Sequence, residues 1–291
     1  MPKRTSTKIP GGALVLRTYA DLRREVDAFA HGERNLLVVV GPPGMSKSTT
    51  VRHRLADARV IQGGSTPYRL YLELYEHRDR PVVLDDADKI FRHRDGVFLL
   101  KLLTQTDPVK TIQWNSNTAE IRNGDVPSEF ATTSRTLILA NGWPRDDPDI
   151  AAVESRGHLL YFAPSFAEMH AFAAGFVRDA EVYAFVGEHL HLFDRFDLRV
   201  YHKAAEVKAT GERTGDREAW KGYVRGLMVD AERRAALELM RDAGYPSDHR
   251  RAAEFARITG MSSRAFYRLR DDLRLRHPEV AGPASPVKAA S

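Results

Sequence analysis

The apolar run Leu36–Val40 stops at Gly41-Pro42-Pro43-Gly44 and passes, through Met45-Ser46, into Lys47-Ser48-Thr49 and a helical stretch. No other feature narrows the fold as much. An unbroken apolar run of strand length suits a strand covered on both faces, the environment of a parallel sheet. A strand that turns through small residues into a helix lets backbone N–H groups face an anion, with the positive end of the helix dipole behind them. Lys47 adds a cation for β- and γ-phosphates, and Ser48 adds a hydroxyl for Mg²⁺. The usual pattern is G-x-x-x-x-G-K-[ST]. Gly41 and Lys47-Ser48 match it, while Ser46 stands at the second glycine position and must accept the backbone geometry imposed there. The candidate cradle for ATP is therefore Gly41, Pro42, Pro43, Gly44, Met45, Ser46, Lys47, Ser48 and Thr49.

Similar apolar runs return at 81–84 and Thr136–Ala140, and less clearly at 59–61 and 159–162. Helical spacing marks 19–31, 47–56, 68–75 and 97–104. Strands alternating with helices predict an α/β domain of mostly parallel strands with right-handed crossovers. Past Pro164 the strand signals fade. Helix is expected over 166–209 and 220–243, with a polar linker at 210–217 between them. The expected organisation is a flexible lead-in (1–12), an α/β nucleotide-binding domain (13–164), a helical lid and linker (165–243), a small basic helical module (244–277) and a disordered Pro/Ala/Ser tail (278–291).

Apolar residues make up 43% and charged residues 29%, enough to bury a core, and the net charge of +5 permits a nucleic-acid partner. The chain has no cysteine. Disulfides, thiolate metal sites, cysteine nucleophiles and iron–sulfur clusters are excluded, which fits a reducing compartment. No apolar run approaches the ~18 residues of a membrane helix, and the first twelve residues lack the apolar core of a signal peptide. A cytoplasmic location is the expectation.

Two more strand ends carry polar groups. Val82-Val83-Leu84 runs into Asp85-Asp86-Ala87-Asp88. At the carboxyl end of a parallel strand beside the phosphate loop, Asp85 would hold Mg²⁺ and Asp86 would polarise the attacking water. An Asp pair can also simply cap the next helix. The strand Thr136–Ala140 ends in Asn141, suited to orient that water, although Asn141-Gly142 also reads as an ordinary turn.

GPPGMSKST, VVLDDAD and LILAN, in this order, resemble the Walker A, Walker B and sensor-1 motifs of AAA+ ATPases. The resemblance extends over 36–209. It implies a nucleotide-binding α/β domain, a helical lid, and a ring or helical homo-oligomer using ATP and Mg²⁺. Glu154-Ser155-Arg156-Gly157 is similar to the segment that carries the arginine finger, pointing to Arg156, with Arg135 as competitor. Phe196-Asp197-Leu198-Arg199 resembles the sensor-2 segment, pointing to Arg199. Asp86 stands where the family usually has Glu, which implies slow hydrolysis. Thr111 to Ile121 reads as two short strands about a polar turn, and looks like the pore hairpin of superfamily three helicases. Trp114 there either stacks on a base or packs beneath the hairpin.

The stretch from Arg250 to Leu269 resembles a helix-turn-helix. Ala253, Phe255 and Ala256 are its expected packing positions, Gly260 its turn, Met261 its plug and Ser262 its cap. Arg264, Tyr267 and Arg268 are the expected groove-facing residues, with Arg250, Arg251 and Arg274 on phosphate. Residues 241–276 hold nine arginines and no lysine against five carboxylates. A DNA-binding AAA+ ATPase acting in replication initiation, helicase loading or transposition is the resulting expectation. A nucleotide-gated DNA-binding switch and a protein remodeller docking through the C-terminal module are its rivals.

Overall fold

The computed structural model describes residues 9–276 except 63, 65, 115–120, 122, 145 and 146. Two compact units divide at Phe172 and Ala173. In the first, six strands form one parallel sheet in the order β1-β8-β2-β7-β4-β3. These are β1 (Leu14–Leu16), β2 (Leu36–Val40), β3 (Arg59–Gln62), β4 (Val82–Asp85), β7 (Thr136–Ala140) and β8 (His158–Phe162). β2 and β7 are buried at every residue, as their unbroken apolar composition requires. The short edge strand β1 carries no signal above its neighbours in the sequence.

Helices α1 (Tyr19–Ala30), α2 (Lys47–Arg54), α3 (Pro67–Glu76), α4 (Arg94–Leu103) and α5 (Pro148–Glu154) connect the strands. Thr18 caps α1, its Oγ1 accepting from Asp21 N at 3.0 Å and donating to Asp21 Oδ2 at 2.7 Å. Thr66 and Asp147 cap α3 and α5, each followed by Pro at the first helical position. Because every crossover runs between parallel strands, the loops after β2, β4 and β7 emerge at one edge of the sheet.

The hairpin differs from its expected form. β5 (Lys110–Gln113) pairs antiparallel with β6 (Glu129–Thr132), not with residues before Ile121. The intended turn at 115–120 lies outside the described residues. Trp114 packs with Tyr68 and Tyr71, ring centroids 5.4 and 5.7 Å away, and Phe130 of β6 continues the aromatic cluster. Of the two readings of Trp114, the structure takes packing beneath the hairpin. A buried aromatic face gains more from those neighbours than an exposed polar turn offers it.

The second unit is helical. It contains α7 (Ala180–Glu188), α8 (Arg199–Thr214), α9 (Ala219–Gly226), α10 (Ala231–Arg241), α11 (Asp248–Thr259) and α12 (Ser263–Arg276), while α6 (Phe166–Ala173) ends at the boundary between units. The expected linker over 210–217 is mostly helix, since α8 continues to Thr214 and stops at Gly215 in a left-handed conformation. The expected helix over 220–243 is two helices. Asp230 starts the second by accepting from Arg233 N at 2.8 Å.

Helices α10 to α12 share one core of Leu237, Met240, Ala252, Phe255, Phe266 and Leu273. The basic module thus recruits a helix that begins well before Gly244. Ala252, not Ala253, is the buried alanine of α11, and Ala253 is exposed. Gly260 ends α11 with φ 72°, Met261 packs at the core margin and Ser262 precedes α12.

Asp248, at the start of α11, ties that helix to α12. It accepts from Arg251 Nη1 at 3.0 Å, Arg270 Nη1 at 2.8 Å and Arg274 Nη2 at 3.2 Å. Burial pushes its carboxyl up, but the bonds from Arg251 and Arg270 and the nearby Arg274 charge outweigh that and hold it below the usual range. A carboxyl lowered by folding stabilises the native state above its unfolded pKa. The contribution is lost as pH falls through the folded value. Asp248→Asn should therefore lower stability at pH 7 by about 2 kcal/mol. It should also flatten the acid limb of a plot of melting temperature against pH, and an unchanged limb would show that the network is not the acid-sensitive element.

Candidate functional site

The loop after β2 is shaped by two backbone constraints. Gly41 admits no side chain, because a Cβ there would lie 2.5 Å from the carbonyl oxygen of Phe162 on β8. Two residues then take left-handed backbone, Gly44 (φ 81°) and Ser46 (φ 54°, ψ 28°). Ser46 thus occupies the second glycine position in a conformation natural to glycine. The loop makes a turn over Pro43 and Gly44, and the amides of Gly44, Met45 and Ser46 follow one another along it. They lie just before the N-terminus of α2, where donors and helix dipole together favour an anion. Tyr19 braces the loop from α1, its hydroxyl donating to Met45 O at 3.0 Å.

Lys47 is buried, 7% exposed, and its ammonium is held at the loop mouth. Nζ donates to Gly41 O at 2.7 Å and Pro42 O at 2.8 Å, and lies 3.4 Å from Asn141 Oδ1. Ser48 Oγ donates to Asp85 Oδ1 at 2.7 Å. The structure thus brings the lysine, the hydroxyl, the first carboxylate and the strand-end asparagine of the sequence reading to one place. Pro42, Pro43 and Thr49 complete the loop and the first turn of α2. The site sits on a strand–loop–helix turn at the edge of a parallel α/β sheet.

The α/β P-loop domain with a helical C-terminal region, expected from the AAA+ resemblance, is present. No family model matches the chain, and no curated protein matches it. Among solved structures it is similar to the Aeropyrum pernix ORC1 protein in complex with DNA, at 15% identity and TM-score 0.46, over 88% of this chain and 82% of that one. It is also similar to NtrX from Brucella abortus in complex with ATP, at 11% identity and TM-score 0.47, over 91% and 69%. Drosophila ORC bound to DNA aligns at 14% identity and TM-score 0.40, over 96% and 78%.

The acidic end of β4 in this P-loop domain carries three carboxylates with different neighbours. Asp85 is 5% exposed. Besides Ser48, it pairs through Oδ2 with Arg52 Nη2 of α2 at 2.8 Å. An oxygen-rich pair of Ser48 Oγ and Asp85 suits a hard divalent cation. Asp86 sits in left-handed backbone (φ 57°), and its Oδ1 faces Asn141 Nδ2 at 3.4 Å.

Asp88 lies outside the expected site, yet it does the most to place Asn141. Its carboxylate accepts from Asn141 N and Gly142 N, each at 3.1 Å, and from Asn141 Nδ2 at 3.4 Å. The signal was present as a third carboxylate three residues beyond Asp85. Its role needed the neighbouring strand, so spacing alone did not reveal it.

The two finger candidates lie elsewhere. Arg135 precedes β7, donates to the Phe29 and Ala30 carbonyls that end α1, and lies over the Phe29 ring. Arg156 precedes β8 and donates to the Lys101 carbonyl near the C-terminus of α4. Both sit at the amino end of the parallel strands. A five-residue strand spans about 17 Å, so neither reaches the phosphate loop of its own sheet.

Arg199 opens α8 in the second unit, and its guanidinium pairs with Asp197 at 3.2 Å. In the C-terminal module, Arg250, Arg264 and Arg268 are exposed. Tyr267 is half-buried, with the Arg270 guanidinium 4.9 Å from its ring centre. Arg251 and Arg274 do not stand free for phosphate. They bind Asp248, and Arg251 Nε also donates to Leu239 O at 2.9 Å. The Asp248 carboxylate between α11 and α12 draws both guanidinium groups inward.

Ser46→Gly should raise the melting temperature, corresponding to about 0.5–1 kcal/mol, by relieving left-handed backbone at a non-glycine residue. Gly41→Ala should instead cost about 2 kcal/mol or more, because Phe162 O is backbone and cannot move aside. Thermal unfolding of both variants checks the pair, and a stabilised Gly41→Ala protein would contradict the loop geometry described.

Proposed function

We propose that this chain is an AAA+-type ATPase that binds ATP with Mg²⁺, assembles with copies of itself and acts on DNA. One observation carries the reading: Lys47, Ser48, Asp85, Asp86 and Asn141 converge at one sheet edge beside the loop that runs into the N-terminus of α2. The loop amides and the α2 dipole bind polyphosphate oxygens, and Lys47 exchanges its two loop carbonyls for phosphate. Ser48 and Asp85 would hold the cation, which when bound would neutralise charge on the transferred group. Asn141, held by Asp88, orients the attacking water, and Asp86 accepts its proton. The short Asp86 side chain favours slow turnover, the regime of a switch more than of a motor.

Arg156 fits a finger acting on the ATP of a neighbouring subunit, since its own loop lies at the far end of the strands. Arg135 has two carbonyls and an aromatic ring to hold it, and is assigned to fastening α1. Arg199 is assigned to the γ-phosphate by the sensor-2 resemblance alone.

Lys47→Ala should abolish ATP binding by calorimetry with little change in melting temperature. Asp86→Asn should bind ATP and lose about 10²-fold or more in hydrolysis rate. Parental hydrolysis in Asp86→Asn would transfer the water-activating role to another carboxylate.

For DNA, the helix-turn-helix-like pair α11–α12 offers Arg250, Arg264, Arg268 and the edge of Tyr267. Arg264→Ala and Arg268→Ala should weaken duplex binding by about 1–3 kcal/mol if they read bases, or lower the salt slope by about one unit each if they meet phosphate. Arg251→Ala should act differently, reducing stability through the Asp248 network. Duplex titrations at two salt concentrations beside thermal melts separate the two effects. Equal duplex binding by the wild type and an Arg264→Ala/Arg268→Ala double variant would favour protein docking as the module's task.

A further inference from the structure

Arg52 lies four residues after Ser48 on α2, so the two side chains share a helix face. That face meets the end of β4. Ser48 Oγ takes one oxygen of Asp85 at 2.7 Å and Arg52 Nη2 takes the other at 2.8 Å. The two ends of this ion pair differ in environment. The Asp85 side chain is 8% exposed, whereas that of Arg52 is 46% exposed. A carboxylate so buried is costly without a positive partner. An arginine half in solvent can leave at little cost, because its stem is flexible and its head is readily rehydrated.

We propose that Arg52 is the resident counter-cation of Asp85, a positioning residue that a divalent cation must displace to reach the carboxylate. The inference rests on the assignment of Asp85 as a cation ligand. In the ligand-free protein the guanidinium holds one oxygen of Asp85 while the other is aimed at Ser48. A divalent ion arriving with nucleotide competes for the same charge, and two cations on one small carboxylate repel. Arg52 therefore swings from the sheet edge towards solvent on the outer side of α2. The phosphate loop consequently demands more cation than its oxygen ligands alone would, and the occupied and empty states differ in where one exposed arginine points.

The test is ATP binding by calorimetry across a MgCl₂ series, with full-length wild type, Arg52→Gln, Arg52→Met and Arg52→Lys. Binding, not hydrolysis, is the readout. The neutral variants should reach half-maximal ATP binding at about threefold to fivefold lower MgCl₂, the upper range of a partly exposed ion pair. Arg52→Lys, which keeps the charge, should stay within about twofold of wild type. Ligand-free melting should drop in the neutral variants and be recovered by MgCl₂ with ATP. Two neutral side chains of different polarity are used so that misfolding of one leaves the other to decide. If the neutral variants require the wild-type MgCl₂ concentration, the counter-cation role is wrong. If Arg52→Lys behaves as they do, charge is not the cause and the proposal also fails. If wild-type ATP binding does not respond to MgCl₂, the assignment of Asp85 as a cation ligand falls, and the inference with it.

Discussion

The parallel register of β2 against β7, with Leu36 opposite Thr136 and Val40 opposite Ala140, is what the candidate site depends on. Both strands end together, so Gly41 and Asn141 leave the sheet side by side. β4 lies on the far side of β7, with Leu84 opposite Ile138, and delivers Asp85 to the same edge. Every strand in this trio is buried along its length, which makes a one-residue slip costly in both hydrogen bonds and packing. The chemistry at the edge inherits its precision from that register and needs few contacts of its own.

Charge at this edge is arranged in layers. Lys47 is held by carbonyls, Asp85 by a hydroxyl and an arginine, and Asp88 by backbone amides. Each buried charge therefore has a partner in the ligand-free protein, and each partner differs in how readily it is given up. The carbonyls at Lys47 and the exposed arginine at Asp85 can be exchanged for ligand. The backbone amides on Asp88 cannot, which suits a group that only positions Asn141. The left-handed backbone at Ser46 and Asp86 falls on the two residues adjoining this chemistry, where strain is tolerated because the surrounding strands dictate the path.

The C-terminal module uses arginine in two ways. Arg251, Arg270 and Arg274 hold its helices together through Asp248, while Arg250, Arg264 and Arg268 face outwards. Its positive charge is thus smaller at the surface than a residue count implies. The part that remains includes Arg264 and Arg268 on one helix, together with Arg250 and Arg257 on the helix before it.

By itself the sequence determined the α/β class, five of the six sheet strands to within a residue or two, and that the loop, the acidic pair and Asn141 follow strand ends. These are local signals: apolar runs, turn residues and one spaced motif act over a few positions each. Tertiary structure decided the rest. The partner of β5 lies beyond a long connection, so apolar runs could not name β6. The break at Leu227–Asp230 and the extension of α8 through 210–214 depended on packing that outweighs polar composition. Asp88, Arg52 and Asp248 acquired their roles from neighbours in other elements, and Arg251 and Arg274 lost theirs as phosphate contacts in the same way. A charge in a sequence has no partner until the fold supplies one, and with charged groups the partner decides the role.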